Sequence, residues 1–211
     1  MKTEELIRAL AADREPSGPR PGVFLAFAAA AGLVISVALF VGFVGLRPDL
    51  MSSASLPLML KPVEMGLLVA ASAVALVRLA SPGAPLGRTV IVAALVPAIV
   101  LVALAVELTV VPRSEWLVRL AGVHWYVCVI NMVVLSLPML AALLFALRHG
   151  APTRPALAGA GAGLLSGALS ASLYILHCPD DSPIFVSAWF TLAIAIATGI
   201  GAIAGYRFLR W

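Results

Sequence analysis

Six stretches of this chain, roughly 23–46, 58–80, 89–111, 122–147, 156–177 and 184–206, are each long and apolar enough to cross a lipid bilayer as a helix. A crossing takes about 20 mostly apolar residues, and the hydrocarbon leaves every backbone polar group to be satisfied within the protein. The pattern predicts an all-α integral membrane bundle of six transmembrane helices. Composition agrees: 62% of the 211 residues are hydrophobic and 11% charged, whereas soluble domains run near 45–50% and 25%. Short loops and the first 22 residues are all that remains outside lipid, so the chain divides into an N-terminal segment with its linker, 1–22, and one six-span domain, 23–211.

Orientation follows from the basic residues beside the spans, which are retained on the cytoplasmic side. With the N-terminus inside, the inner segments hold Lys2, Arg8, Arg14, Arg20, Arg78, Arg88, Arg148, Arg154, Arg207 and Arg210, against Arg47, Lys61, Arg113 and Arg119 outside. Both termini are therefore expected in the cytoplasm. The net charge of +4 and the pI near 9.6 are a topology signal; nucleic-acid binding would need a clustered basic face in water. The first 22 residues mix both charge signs and lack a short apolar core before a cleavage site, so no removable signal is expected.

Residues 3–14 read as a short amphipathic helix. Thr3 can cap it, Glu4 and Glu5 suit its positive end, and Leu6, Ile7 and Leu10 share one stripe, with Arg8 on the polar side. Pro16, Gly18, Pro19, Pro21 and Gly22 then break it into a linker. A helix this short is marginal alone in water and needs a surface. That surface is either membrane lipid or a cytosolic partner; the two acidic residues favour the partner, because the inner leaflet is itself negative.

Within the spans, Gly159, Gly163 and Gly167 recur every fourth residue, as do Gly201 and Gly205. Small residues at that spacing let backbones approach in lipid, so the fifth and sixth spans should form a tight pair. Pro97 and Pro138 lie mid-span and should kink the third and fourth. The proline-rich loops 81–88 and 149–155 read as structural hairpins.

Reactive groups inside spans are costly and mark candidate sites. Counted at 1.5 Å per residue from the inner arginines, Cys128 lies about 30 Å above Arg148, Glu107 about 29 Å above Arg88 and Cys178 about 35 Å above Arg154. Glu64 and Asn131 also lie in the outer half. Cys128 and Cys178, the chain's two cysteines, thus reach one level on consecutive spans. His124 precedes Cys128 by one turn on the same face, and His177 adjoins Cys178 in the turn His177-Cys178-Pro179-Asp180-Asp181-Ser182-Pro183. Three readings stand. In an oxidising compartment the pair can form a disulfide closing a loop of about 50 residues, contributing up to roughly 4 kcal/mol. Reduced, Cys128, Cys178, His124 and His177 can supply a soft tetrahedral metal site. Otherwise the cysteines are small buried apolar residues that never meet. Glu107, Asp180 and Asp181 are candidate supporting groups or further ligands, the aspartates reading equally well as solvated turn residues.

The inner halves of the spans carry almost nothing ionisable, whereas a proton or ion path shows such groups near the midplane. Transport of ions or small molecules is the alternative this pattern disfavours. No Cys-x-x-Cys, phosphate-binding glycine loop, catalytic triad spacing or His-Glu-x-x-His occurs, so an enzyme is not expected. No cofactor is implied beyond the metal ion of the second cysteine reading.

The opening Met1-Lys2-Thr3-Glu4-Glu5-Leu6-Ile7-Arg8-Ala9-Leu10-Ala11-Ala12-Asp13, then Gly45-Leu46-Arg47-Pro48-Asp49-Leu50, Pro82-Gly83-Ala84-Pro85-Leu86-Gly87-Arg88, Glu115-Trp116, Gly150-Ala151-Pro152-Thr153-Arg154-Pro155 and Leu176-His177-Cys178-Pro179-Asp180-Asp181-Ser182-Pro183 together resemble the NrsF family of anti-sigma factors of the bacterial inner membrane, named for negative regulation of sigma F. The resemblance runs over nearly the whole chain and includes the six spans and the cysteine pair. It implies a multi-pass inner-membrane protein whose cytoplasmic N-terminus sequesters an extracytoplasmic-function sigma factor. It also implies that cysteines matching Cys128 and Cys178 relieve inhibition under stress from oxidants or heavy metals.

Overall fold

The computed structural model describes residues 3–5, 21–48, 56–81, 98, 101–102, 104–150 and 152–209. Leu6, Ile7, Arg8 and Leu10 of the expected docking stripe, the linker residues 16–20, Pro97 and all of the 81–88 hairpin but Ser81 lie outside the described residues, as does most of the third expected span. Its end, 104–110, is helical, and Thr3, Glu4 and Glu5 are helical and exposed.

The described residues are helical with no strand among them, which is the all-α class expected. The long helices are α1 (Pro21–Leu39), α2 (Leu56–Ala80), α4 (Trp125–Arg148), α5 (Pro155–Tyr174) and α7 (Thr191–Phe208). A short α3 (Trp116–Ala121) precedes α4, and a single turn, α6 (Pro183–Phe185), leads into α7. Two π-helical turns extend them: Phe40–Val44 continues α1, and Val186–Phe190 joins α6 to α7. Among the described residues five helical segments, Gly22–Val44, Lys61–Ala80, Trp125–Arg148, Pro155–Tyr174 and Pro183–Phe208, are long and apolar enough to cross a membrane.

The surface is that of a membrane protein. Phe43 is 86% exposed and Phe27 72%, and Val34, Val41, Ile130, Phe145 and Ile203 stand out along the same helices. Such a contiguous apolar exterior is stable against lipid and not against water.

α5 is the hub, packed on α7, α2 and α4, while α1 packs on α4. The small residues of α5 explain its place. A methyl group on Gly163 would strike the carbonyl of Ala197 and come within 2.7 Å of Thr198 Cα, and one on Gly205 would lie 2.7 Å from Gly159 Cα. The expected tight pair of fifth and sixth spans is therefore formed, backbone against backbone, as α5 and α7. α1 meets α4 by the same device: a methyl on Gly32 would sit 2.5 Å from Met139 Cα. One turn on, Ser36 Oγ donates to Leu135 O at 2.8 Å. This crossing lies beside Pro138, through which α4 runs on to Arg148.

The helix ends define two poles. At the lower pole Leu25, Leu76, Leu140, Leu143, Leu147 and Leu165 form an apolar core. The upper pole, where α1 ends, α2 and α4 begin and α5 passes into α6, holds the buried charges seen among the described residues, Arg47, Lys61, Glu64 and Glu107.

Candidate functional site

Cys128 sits in the first turn of α4 and Cys178 four residues beyond the end of α5. Both are thiols, buried in the upper core among Met132, Tyr174, Phe185 and Phe190. The two side chains share a hydrogen bond. The Tyr174 hydroxyl lies beside the Cys128 thiol, with Asn131 close by, so polar groups of α4 and α5 adjoin the cysteine pair. Cys178 Sγ lies 3.8 Å from Asp180 O. Its thiol is pushed well above the ordinary thiol range, chiefly by the hydrogen bond with Cys128 and next by burial. Both π turns border this core, Phe40 from one and Val186 and Phe190 from the other.

Above the thiols the 178–184 turn is held from four directions. Arg47, just past α1, donates to Cys178 O at 3.0 Å and pairs with Asp181 at 3.4 Å. Lys61, in α2, donates to Asp180 O and pairs with Asp181 Oδ1 at 2.7 Å. Glu107, in the 104–110 helix, accepts from Ser182 Oγ at 2.7 Å and from the backbone N–H of Ile184. It thereby caps the first turn of α6, whose free N–H groups call for an acceptor. The Val123 N–H, ahead of α4, donates to Asp180 Oδ2 at 3.3 Å. That last contact requires Gly122: its φ of 54° is a left-handed conformation, and a methyl there would strike the Phe185 ring.

Further out, Arg119 bridges Glu107 at 3.2 Å and Glu115 at 3.1 Å. Trp125 stacks on Trp189 with ring centroids 4.2 Å apart, and Trp189 Nε1 donates to Leu120 O. Trp116 Nε1 donates to Val111 O. Leu117, Val118 and Val123 are exposed around this belt, an arrangement suited to a membrane interface, where an indole keeps one end wet.

The candidate residues are thus sorted. Cys128 and Cys178 meet, and Glu107, Asp180 and Asp181 form the polar layer over them. Asp181, which the sequence leaves as either a supporting group or a solvated turn residue, is the shared anion of two buried cations. His124 and His177 turn elsewhere: the exposed His124 ring packs edge-on against Tyr126, and His177 Nδ1 faces Gly45 O at 3.1 Å. The tetrahedral set of Cys128, Cys178, His124 and His177 is therefore not assembled, and no three His, Cys, Asp or Glu among the described residues are grouped to hold a metal ion. Arg47 and Lys61, counted in the sequence as flanking charges alone, are the residues that reading missed. The signal available was that Lys61 opens an apolar run three residues before Glu64, where a lone ammonium needs a partner.

An all-helical membrane protein carrying a covered dithiol under a charged layer is the class these features define. The family model described as negative regulator of sigma F, NrsF, matches residues 10–211, and the chain belongs to that family. The chain is 40% identical to the anti-sigma-F factor NrsF of Caulobacter vibrioides and 35% identical to the probable anti-sigma-F factor NrsF of Azospira oryzae, each match covering both chains in full. No solved structure matches it.

Proposed function

We propose that the protein is an anti-sigma factor of the bacterial inner membrane, with six spans and both termini in the cytoplasm. Its N-terminal segment, from Thr3, Glu4 and Glu5 through Leu6, Ile7, Arg8 and Leu10, captures an extracytoplasmic-function sigma factor. The Cys128/Cys178 pair, facing the periplasm, releases it under oxidant or metal stress. Family membership supports the partner class. The observation that carries the sensing half is the meeting of the chain's two cysteines, 50 positions apart in sequence, in one buried contact.

The chemistry is that of a dithiol. With hydrogen peroxide as oxidant, Cys128 and Cys178 lose two electrons and two protons, one S–S bond forms, and the peroxide leaves as two waters. A thiophilic metal ion would act on the same pair by displacing the thiol protons. Either event replaces the hydrogen bond between α4 and the 178–184 turn with a shorter, directional link.

Transmission runs along α4. Cys128 is in its first turn, its middle is locked to α1 at Gly32 and Ser36, and its last residue leads to His149, whose ring packs on Phe24 at 5.5 Å. Phe24 lies in the first turn of α1, next to the N-terminal segment. Closely packed helices move as units between discrete arrangements, so a displacement of α4 at the thiols reaches residues 1–20 through α1. An ion or solute path gains no support, because no buried ionisable side chain lies in the lower core among the described residues.

The test is capture. Co-expressed with its sigma factor, the full chain should bring it down with purified membranes. A version lacking residues 2–14 should insert equally and lose capture by more than about tenfold, the loss expected when a short coupled-folding segment is removed. Undiminished capture would move the binding site to other parts of the cytoplasmic face.

A further inference from the structure

The sensing reading leaves the charge above the thiols unexplained. Burying Arg47 and Lys61, each with a side chain only 4% exposed, is costly unless both find an anion and further acceptors. Both find the same anion, Asp181, and each adds a carbonyl of the very turn that carries the thiol: Cys178 O for Arg47, Asp180 O for Lys61. The Arg47 backbone N–H donates to Leu176 O as well. Glu107 holds the other side of the turn through Ser182 and Ile184.

Cys178 is 0% exposed and Cys128 4%. Reagents in water therefore reach neither sulfur unless the 178–184 turn lifts. The side chains that resist lifting are charged, lie on segments distant in sequence, and converge on one aspartate that is 25% exposed. Around the thiols the core is otherwise built largely of apolar residues, with buried Glu64 a further acidic group near Lys61. The place of Arg47, Lys61 and Asp181, over the thiols, is one that controls access to them.

We propose that Asp181, held by Arg47 and Lys61, is the latch that keeps the Cys128/Cys178 pair closed to water-borne thiol reagents, with Glu107 on Ser182 as its second fastening. The latch rests on the dithiol reading for its purpose, but access can be measured without any sigma factor. Opening is a local unfolding of the turn, and its population sets the rate at which a reagent meets the sulfurs.

The experiment is labelling of the full chain in open membrane sheets with a charged, water-soluble maleimide, the modified cysteine being assigned by mass spectrometry. In Asp181→Asn the labelling rate of Cys178 should rise by about tenfold or more, as expected for losing a hydrogen bond to a charged group. Asp181→Glu, which keeps the charge, should return most of the protection. In each background Leu143→Cys, at a position buried in the lower core, should stay unlabelled. Unchanged Cys178 labelling in Asp181→Asn overturns the latch, and so does a rise matched at position 143, which signals general loosening. Should Asp181→Asn fail to insert, Ser182→Ala decides by the same readout. A rise of about threefold or more at Cys178 supports the second fastening, and no rise overturns it. If the latch variants label faster while a Cys128→Ser/Cys178→Ser chain still releases its sigma factor under stress, the sensing reading fails and the latch stands.

Discussion

At the scale of single residues, the two cysteines were legible and their guardians were not. Counting helical rise from the inner arginines puts Cys128 and Cys178 at one level, and they do meet. Arg47, Lys61 and Asp181 gave no comparable signal, because Asp181 is 134 positions from one partner and 120 from the other. A charge beside a span reads as a topology marker whether it faces water or a buried aspartate. The histidines illustrate the converse error. His124 and His177 lie at the right depth, yet a ring direction is set by local backbone and neighbours, here Tyr126 and Gly45, and depth says nothing of it. The thiol environment has a measurable consequence. Because the hydrogen bond with Cys128 and burial disfavour the Cys178 thiolate, its alkylation by a small reagent should fail to level off near the ordinary thiol value of about 8.5 and should keep rising above it. A plateau at or below that pH, with the site resolved by mass spectrometry, would contradict the buried contact.

Among helices, glycine spacing carried the most information. The four-residue repeat in the fifth span predicted the close approach of α5 and α7, since only a missing side chain lets two backbones touch. The π turns at Phe40–Val44 and Val186–Phe190 had no such signature: an extra residue in one turn leaves the apolar run unbroken. Such turns gather at functional sites, and these two border the thiol core. The glycines also separate contact from mere abundance. Gly163→Ala should destabilise the bundle by roughly 1–3 kcal/mol, the usual cost of overpacking. Gly199→Ala, two turns from Gly205 on the same helix and open to space, should be neutral or raise stability by about 0.5–1 kcal/mol through helix propensity. Thermal unfolding in one detergent compares them directly, and equal midpoints would contradict the packing of α5 on α7.

For the whole molecule, the all-helical class and the membrane setting could be read from hydrophobic run lengths, because lipid imposes length and apolarity on every crossing. The packing order could not. Hydropathy selects the segments that enter lipid but is nearly uniform around each of them, so it hides the position of α5 at the centre and the locking of α1 onto α4. That arrangement places α4 between the thiols at one pole and, through His149, Phe24 in the first turn of α1 at the other. The decisive measurement is retention of the sigma factor by purified membranes before and after hydrogen peroxide, in the unaltered chain and in Cys128→Ser/Cys178→Ser. Peroxide should strip the sigma factor from the unaltered chain and leave it bound to the double variant; release from both, or from neither, would contradict sensing by the cysteine pair.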